Sequence, residues 1–155
     1  MMQRLYLDTS VFGGYFDEEF AEFTIPLFER LNEGKFILLF SSVTQDELTD
    51  APPRVRNLVI EIKAGFTEFL EVEDISVDLA TKYISEKVVG PTSYADCLHI
   101  ALATIAKADY LVSWNFKHIV NVQRIRGYNS VNVSSGYQEL EIRSPRDFMG
   151  YGNNN

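Results

Sequence analysis

The chain reads as an α/β protein, a three-layer α/β/α sandwich around a mainly parallel sheet. Three observations predict this class. Short apolar runs alternate with stretches of helical periodicity along the whole length. The run Phe36-Ile37-Leu38-Leu39-Phe40 is apolar at every position, as expected of a strand buried on both faces of a parallel sheet. Strands that alternate with helices imply right-handed βαβ crossovers, which stack helices on the sheet. At 155 residues, with 46% hydrophobic and 23% charged positions, the chain fits one domain able to close a core. That domain is expected over 1–149, with 150–155 as a flexible tail.

The elements follow in order. Residues 4–7 form a short apolar strand ending at Asp8, and Gly13-Gly14 then break the chain into a loop. From Glu18 to Asn32, Phe20, Thr24, Leu27, Phe28 and Leu31 recur at helical spacing despite Pro26, and Gly34 suits the position after a helix end. After the strand 36–40, Ser42 with Gln45 resembles a capping box, which places Glu47 in the first two turns of a helix. Pro52-Pro53 interrupt it. Val55, Leu58, Val59 and Ile62 begin an amphipathic stretch running toward Leu70, and a short strand follows at 70–74. Ser76 is expected to cap a helix through Val88, Gly90-Pro91 break the chain, and Ser93 caps the next helix with Asp96 at its third position. Leu98, Ala101, Leu102 and Ile105 make that helix's buried stripe. Tyr110-Leu111-Val112-Ser113 is a strand, with Asn115 two residues beyond it. Residues 118–135 read as helix ended by Gly136, and Leu140-Glu141-Ile142 as the last strand.

The formal charge of −8 argues against a surface that grips nucleic acid everywhere, since backbone binding relies on Lys and Arg displacing counterions. Acids crowd 17–22 and 68–78, whereas 110–138 has none and carries Lys117, Arg124 and Arg126. That segment is either a locally cationic face or an ordinary solvated one. A single cysteine, Cys97, excludes an internal disulfide framework and fits a reducing compartment. Met1-Met2-Gln3-Arg4 reaches Asp8 too soon for a signal-peptide core, and no apolar run spans a bilayer, so a soluble, cytoplasmic protein without a membrane role is expected.

Asp8, Glu47, Asp96 and Asn115 carry the chemistry. Each lies just past a strand end or near the start of a helix, and ligands of open parallel sheets collect beyond the carboxyl ends of the strands. Acids gathered there raise one another's pKa unless a cation relieves them, and hard oxygen donors favour Mg²⁺ or Mn²⁺. Such an ion can neutralise a phosphodiester and activate water. Each acid also has a structural explanation, because the helix dipole favours carboxylates in a first turn. Asp46 and Asp50 flank Glu47, so spacing leaves open which of the three points inward. Thr9 and Ser10 either orient Asp8 or fix its turn. Cys97 and His99 share a helix with Asp96 and read as packing, while His118, beside Lys117 and Asn115, is a candidate for phosphate contact.

The segments Leu5-Tyr6-Leu7-Asp8-Thr9-Ser10, Gln45-Asp46-Glu47-Leu48, Ala95-Asp96-Cys97-Leu98-His99-Ile100-Ala101 and Leu111-Val112-Ser113-Trp114-Asn115-Phe116-Lys117-His118-Ile119 resemble the PIN-domain family over nearly the whole chain. The resemblance implies a five-stranded parallel sheet and a Mg²⁺- or Mn²⁺-dependent endoribonuclease, with Asp8, Glu47 and Asp96 as the acidic metal ligands. It selects Glu47 over its neighbours. Asn115 stands where many members have a fourth acid, which leaves it to ligate weakly or orient water. Thr9, Ser10, Lys117 and His118 would then contact substrate. The same resemblance implies RNA as substrate, an antitoxin protein as partner of a toxin-like chain, and a homodimer by analogy. A module that binds RNA or a protein without catalysis is the alternative. An aspartyl-phosphate phosphatase is disfavoured, because Ser10 stands where a second acid would be expected.

Overall fold

The computed structural model describes residues 1–148. The expected tail at 150–155 lies outside them. Five strands, β1 (Gln3–Leu7), β2 (Phe36–Ser41), β3 (Thr67–Leu70), β4 (Tyr110–Val112) and β5 (Ile142–Arg143), form one sheet in the order β3-β2-β1-β4-β5. Every pairing is parallel, so "mainly parallel" is corrected to wholly parallel among the described residues.

Side chains alternate across the sheet with period two. Leu5, Leu7, Leu38 and Val112 join one apolar cluster with Phe12, Leu27, Phe28 and Trp114. Tyr6, Leu39 and Leu111 join the other with Tyr83, Ile100, Ala101 and Tyr128. The first cluster is closed by α1 (Thr9–Gly14), α2 (Ala21–Asn32) and α4 (Pro53–Glu61), and the second by α5 (Asp74–Ser85), α6 (Tyr94–Ile105) and α7 (Val122–Ser134). Both faces are therefore covered, which is why the central strands are continuously apolar.

Several boundaries differ from expectation for identifiable reasons. Gly13-Gly14 does not open a loop but closes α1. A Cβ on Gly14 would lie 2.7 Å from Trp114 Nε1, so the glycine is there to let the indole approach. Pro26 sits inside α2 near its start, and the carbonyl it leaves without a donor belongs to exposed Glu22. The N-cap of α3 (Ser42–Glu47) is Ser41, whose Oγ accepts from Thr44 N–H at 3.3 Å; Ser42 instead accepts from Val72 N–H. Glu47 is consequently the last residue of α3. Strand β3 begins three residues earlier than expected, and Glu73 rather than Ser76 precedes α5, with the Ser76 hydroxyl accepting from Glu73 N–H at 2.9 Å. Helix α7 starts at Val122, capped by Asn121 Oδ1, and leaves 113–121 as a loop over the sheet.

The strand order reverses between β1 and β4. β2 and β3 extend the sheet on one side of β1, β4 and β5 on the other. A crevice opens at such a switch point beyond the carboxyl ends of the strands. Asp8 follows β1 and Ser113 follows β4, so both stand at its mouth.

Candidate functional site

Asp8 is 4% exposed and lies in extended backbone conformation at the start of α1. Register explains its main contact. Leu7 pairs with Val112, so the next residue on each strand, Asp8 and Ser113, are neighbours, and Ser113 Oγ donates to Asp8 Oδ2 at 2.6 Å. Ser10 Oγ donates to Oδ1, also at 2.6 Å. Each serine accepts a backbone N–H in turn, Ser10 from Trp114 at 2.9 Å and Ser113 from Asn115 at 2.9 Å. Two amides of the loop after β4 thus reach the carboxylate through hydroxyl relays.

The loop is held by Trp114. Its indole stacks on Phe20 at 4.2 Å between centroids, and Nε1 donates to Thr24 Oγ1 at 2.9 Å. Asn115 follows. Its Oδ1 accepts from His118 N–H at 3.0 Å, which turns Nδ2 toward Asp96 Oδ2 at 3.3 Å. One lone pair of the amide oxygen is thus used and Nδ2 donates to Asp96, so the amide supports Asp96 where a fourth carboxylate would repel it.

Glu47 meets the group from the other side of the crevice. His99 Nε2 and Thr9 Oγ1 both bond its Oε1, at 2.6 and 2.9 Å. His99, 2% exposed, also bonds the Tyr6 hydroxyl through Nδ1 at 2.6 Å, and Tyr6 bonds Ser41 Oγ at 2.7 Å. One set of donor directions satisfies every group. Thr44 N–H donates to Ser41, Ser41 O–H to Tyr6, Tyr6 O–H to His99 Nδ1, and His99 Nε2–H to Glu47. Sequence reasoning took His99 for packing and did not single out Tyr6 or Ser113. The available signal was His99 three residues after Asp96, on the same helical face. Thr9 and Ser10, expected to contact substrate, spend their hydroxyls on Glu47 and Asp8.

Electrostatics follow from burial. Desolvation raises Asp8 above the usual carboxylate range, and Asp96 raises it further, against the opposing effects of His99, Ser10 and Ser113. Asp96 is raised by burial first and by Glu47, opposed by His99, His118 and the Asn115 bond. Glu47 is lowered: burial acts to raise it, and His99 with Thr9 outweighs that. Burial also pushes the Cys97 thiol up to about 12, which fits a core residue rather than a nucleophile. Lys117 is exposed, and His118 Nδ1 is buried without a hydrogen-bond partner. Arg124 is spent on the Val88 carbonyl.

Among the described residues, no group of three or more His, Cys, Asp or Glu is placed to hold one metal ion. The donor chemistry of Asp8 and Asp96 suits a hard divalent cation. Asp8 and Asp96 are raised carboxylates that pair with no Lys or Arg among the described residues, and Asp96 Oδ1 accepts no hydrogen bond there. Among those residues no helix is long and apolar enough to cross a membrane.

His99 yields a direct prediction. His99→Phe keeps a ring in place but removes the acceptor of Tyr6, which then retains only Ser41, and the donor to Glu47; two hydrogen bonds at about 0.5–1.5 kcal/mol each make a loss of about 1–3 kcal/mol. Urea denaturation should show a loss of that size. Adding Tyr6→Phe should recover part of it, since both partners of the bond are then apolar. Strictly additive losses in the double variant would show that the two side chains are not coupled.

Comparison with known proteins gives the fold. No family model matches the chain, and no curated protein matches it. Among solved structures it is similar to a chain of VapBC2 from Rickettsia felis bound to a DNA fragment from their promoter, at 13% identity and TM-score 0.56, covering 92% of this chain and 98% of that one. It is likewise similar to a chain of FitAcB from Neisseria gonorrhoeae, at 14% identity and TM-score 0.55, with the same two coverages. At these identities the likeness shows a shared fold alone. The PIN-domain assignment is corrected on these findings, together with the PIN-like label on the fold class and the endoribonuclease function carried over from it. No family model supports them, and the neighbours' descriptions name no nuclease.

Proposed function

We propose that this chain is one member of a toxin–antitoxin type pair, and that its crevice binds a single Mg²⁺ or Mn²⁺ ion through Asp8 and Asp96 while a partner protein governs access to it. The shared fold with chains of VapBC2 and FitAcB supports the first part. The observation that carries the second is the pair of raised, cation-free carboxylates at the switch point of the sheet. Mg²⁺ is commonly bound by one or two carboxylates with water completing its shell, so two acids suffice.

Bound there, such an ion supplies positive charge to an anionic group and lowers the pKa of water, and hydrolysis of a phosphate ester is the enzyme activity we assign to the crevice. The chain's own groups have separate tasks. Ser10 and Ser113 fix both oxygens of Asp8, Asn115 aims Asp96, and His99 with Thr9 keeps Glu47 ionised beside them. Lys117 is an exposed cation on the loop 113–121 and is assigned to an anionic substrate or partner.

Titration calorimetry with Mn²⁺ should give a dissociation constant of about 1 mM or below, abolished in Asp8→Asn. With the same ion, bis(p-nitrophenyl) phosphate and single-stranded RNA and DNA should be tried in parallel. Turnover of any of them that disappears in Asp8→Asn supports the hydrolase assignment. Mn²⁺ binding that survives Asp8→Asn unchanged would place the ion elsewhere and sink the reading.

A further inference from the structure

β3 is an edge strand: β2 pairs with one side of it, and no strand among the described residues pairs with the other. Beside its carboxyl end lies an open groove of about 220 Å³ formed by Phe69, Leu70, Ile75, Leu102, Ile105 and Ala106. Phe69 is 43% exposed and Ile75 47%, so an apolar floor faces water. The volume falls below the roughly 300 Å³ at which small-molecule clefts begin, and the open side suits the side chains of a peptide. Glu71 and Glu73 line the same groove, and Glu68, Asp74 and Asp78 stand close in sequence. Of these five acids only Glu68 has an ion pair among the described residues, with Arg4 at 2.7 Å.

We infer that this groove docks an extended, basic segment of another protein, which adds a strand to β3, seats an apolar side chain between Phe69 and Ile75, and pairs Lys or Arg with Glu71 and Glu73. Strand addition supplies main-chain hydrogen bonds and lets alternate side chains enter pockets. Charge decides the occupant. Two copies of this chain meeting edge to edge would bring their acidic strand ends together, and like charges across a strand pair repel, so the acids exclude self-pairing and admit a cationic partner. The groove is independent of the crevice. Ala106 lies ten residues along the α6 direction from Asp96, about 15 Å at the helical rise, so an occupant need not cover the carboxylates.

The test uses the full chain and a fluorescein-labelled peptide in which Lys alternates with Leu and Val. The peptide should bind, more weakly as salt rises, while its counterpart with Glu for Lys should not. Ile75→Lys and the double change Glu71→Lys with Glu73→Lys should each weaken binding by about tenfold or more, the loss expected of an interface anchor. Val133→Lys, an exposed change on α7, should leave affinity intact, and circular dichroism should show all variants folded. Equal binding of the Lys and Glu peptides, or of the Ile75→Lys variant and the parent, would overturn the proposal. So would a dimer of the parent, seen by light scattering, that Ile75→Lys dissolves, because the occupant would then be a second copy. None of these readouts depends on Mn²⁺, so failure here is separate from failure of the crevice assignment.

Discussion

Trp114→Ala is expected to cost about 3–5 kcal/mol of folding stability, the range for truncating a buried aromatic residue. The indole is only 5% exposed, stacks on Phe20, meets Phe23 and Phe116 at its edges, and spends Nε1 on Thr24. Gly14 has given up its Cβ to admit it, so the site cannot collapse around alanine without moving α1. A domain of this size has about 5–15 kcal/mol in total, which makes this one ring a large share. Cation affinity should fall with it, since Trp114 carries the loop whose amides reach Asp8 through Ser10 and Ser113. Phe116→Ala, at a residue 43% exposed, is the control and should cost less than about 1 kcal/mol. Urea midpoints for the two variants decide the matter, and a loss from Trp114→Ala no greater than the control's would show that the indole does not anchor the loop.

The second expected result is a stability profile that declines toward neutral pH unless a divalent cation is present. Burial raises Asp8 and Asp96, so between their unfolded and folded pKa values the native state holds more protons than the unfolded chain. Stability therefore falls as pH climbs through that window. Glu47 and Glu68 have the opposite sign. His99 and Thr9 outweigh burial at Glu47, Arg4 lowers Glu68, and their contribution is present above the unfolded value and lost as pH drops through the folded one. The two effects together put the maximum near the ordinary carboxylate range. If the ionised pair binds Mn²⁺ as proposed, and only in the folded protein, the ion should lift the neutral limb of the profile selectively. Thermal or urea unfolding from about pH 2 to about pH 7, in chelator and in Mn²⁺, measures both limbs. A chelated protein that grows steadily more stable up to neutrality would contradict the burial of these two acids.

Much of the fold was legible because its signals are local. Continuous apolar runs marked β1, β2 and β4, and Gly34 and Gly136 stand at positive φ just past α2 and α7, as their positions in the sequence implied. Strand β3 was misplaced because none of its four residues is buried, so an edge strand emits no hydrophobic signal for periodicity to read. α1 was hidden by a glycine pair, of which Gly14 has its reason in a ring one hundred residues away.

The candidate site divides along the same line. That Asp8, Glu47, Asp96 and Asn115 stand near one rim followed from their places beside strand ends. Which oxygen faces which did not. His99 finds Tyr6 and Glu47 at sequence separations of 93 and 52, and the backbone N–H of His118 orients the Asn115 amide so that it donates to Asp96. The family resemblance failed for a related reason: a run of matching residue types does not report how their polar atoms are spent.

Asp8 and the hydroxyl that steadies it are 105 residues apart. During vector-wise synthesis the first strand leaves the ribosome early, yet its terminal acid has neither Ser113 nor a covering loop until β4 emerges. A nascent chain thus carries an ordinary hydrated aspartate until β4 emerges and acquires the sequestered one only then. Truncation before Ser113 should leave no trace of the raised pKa at Asp8, and whatever the crevice does is withheld until β4 has been made.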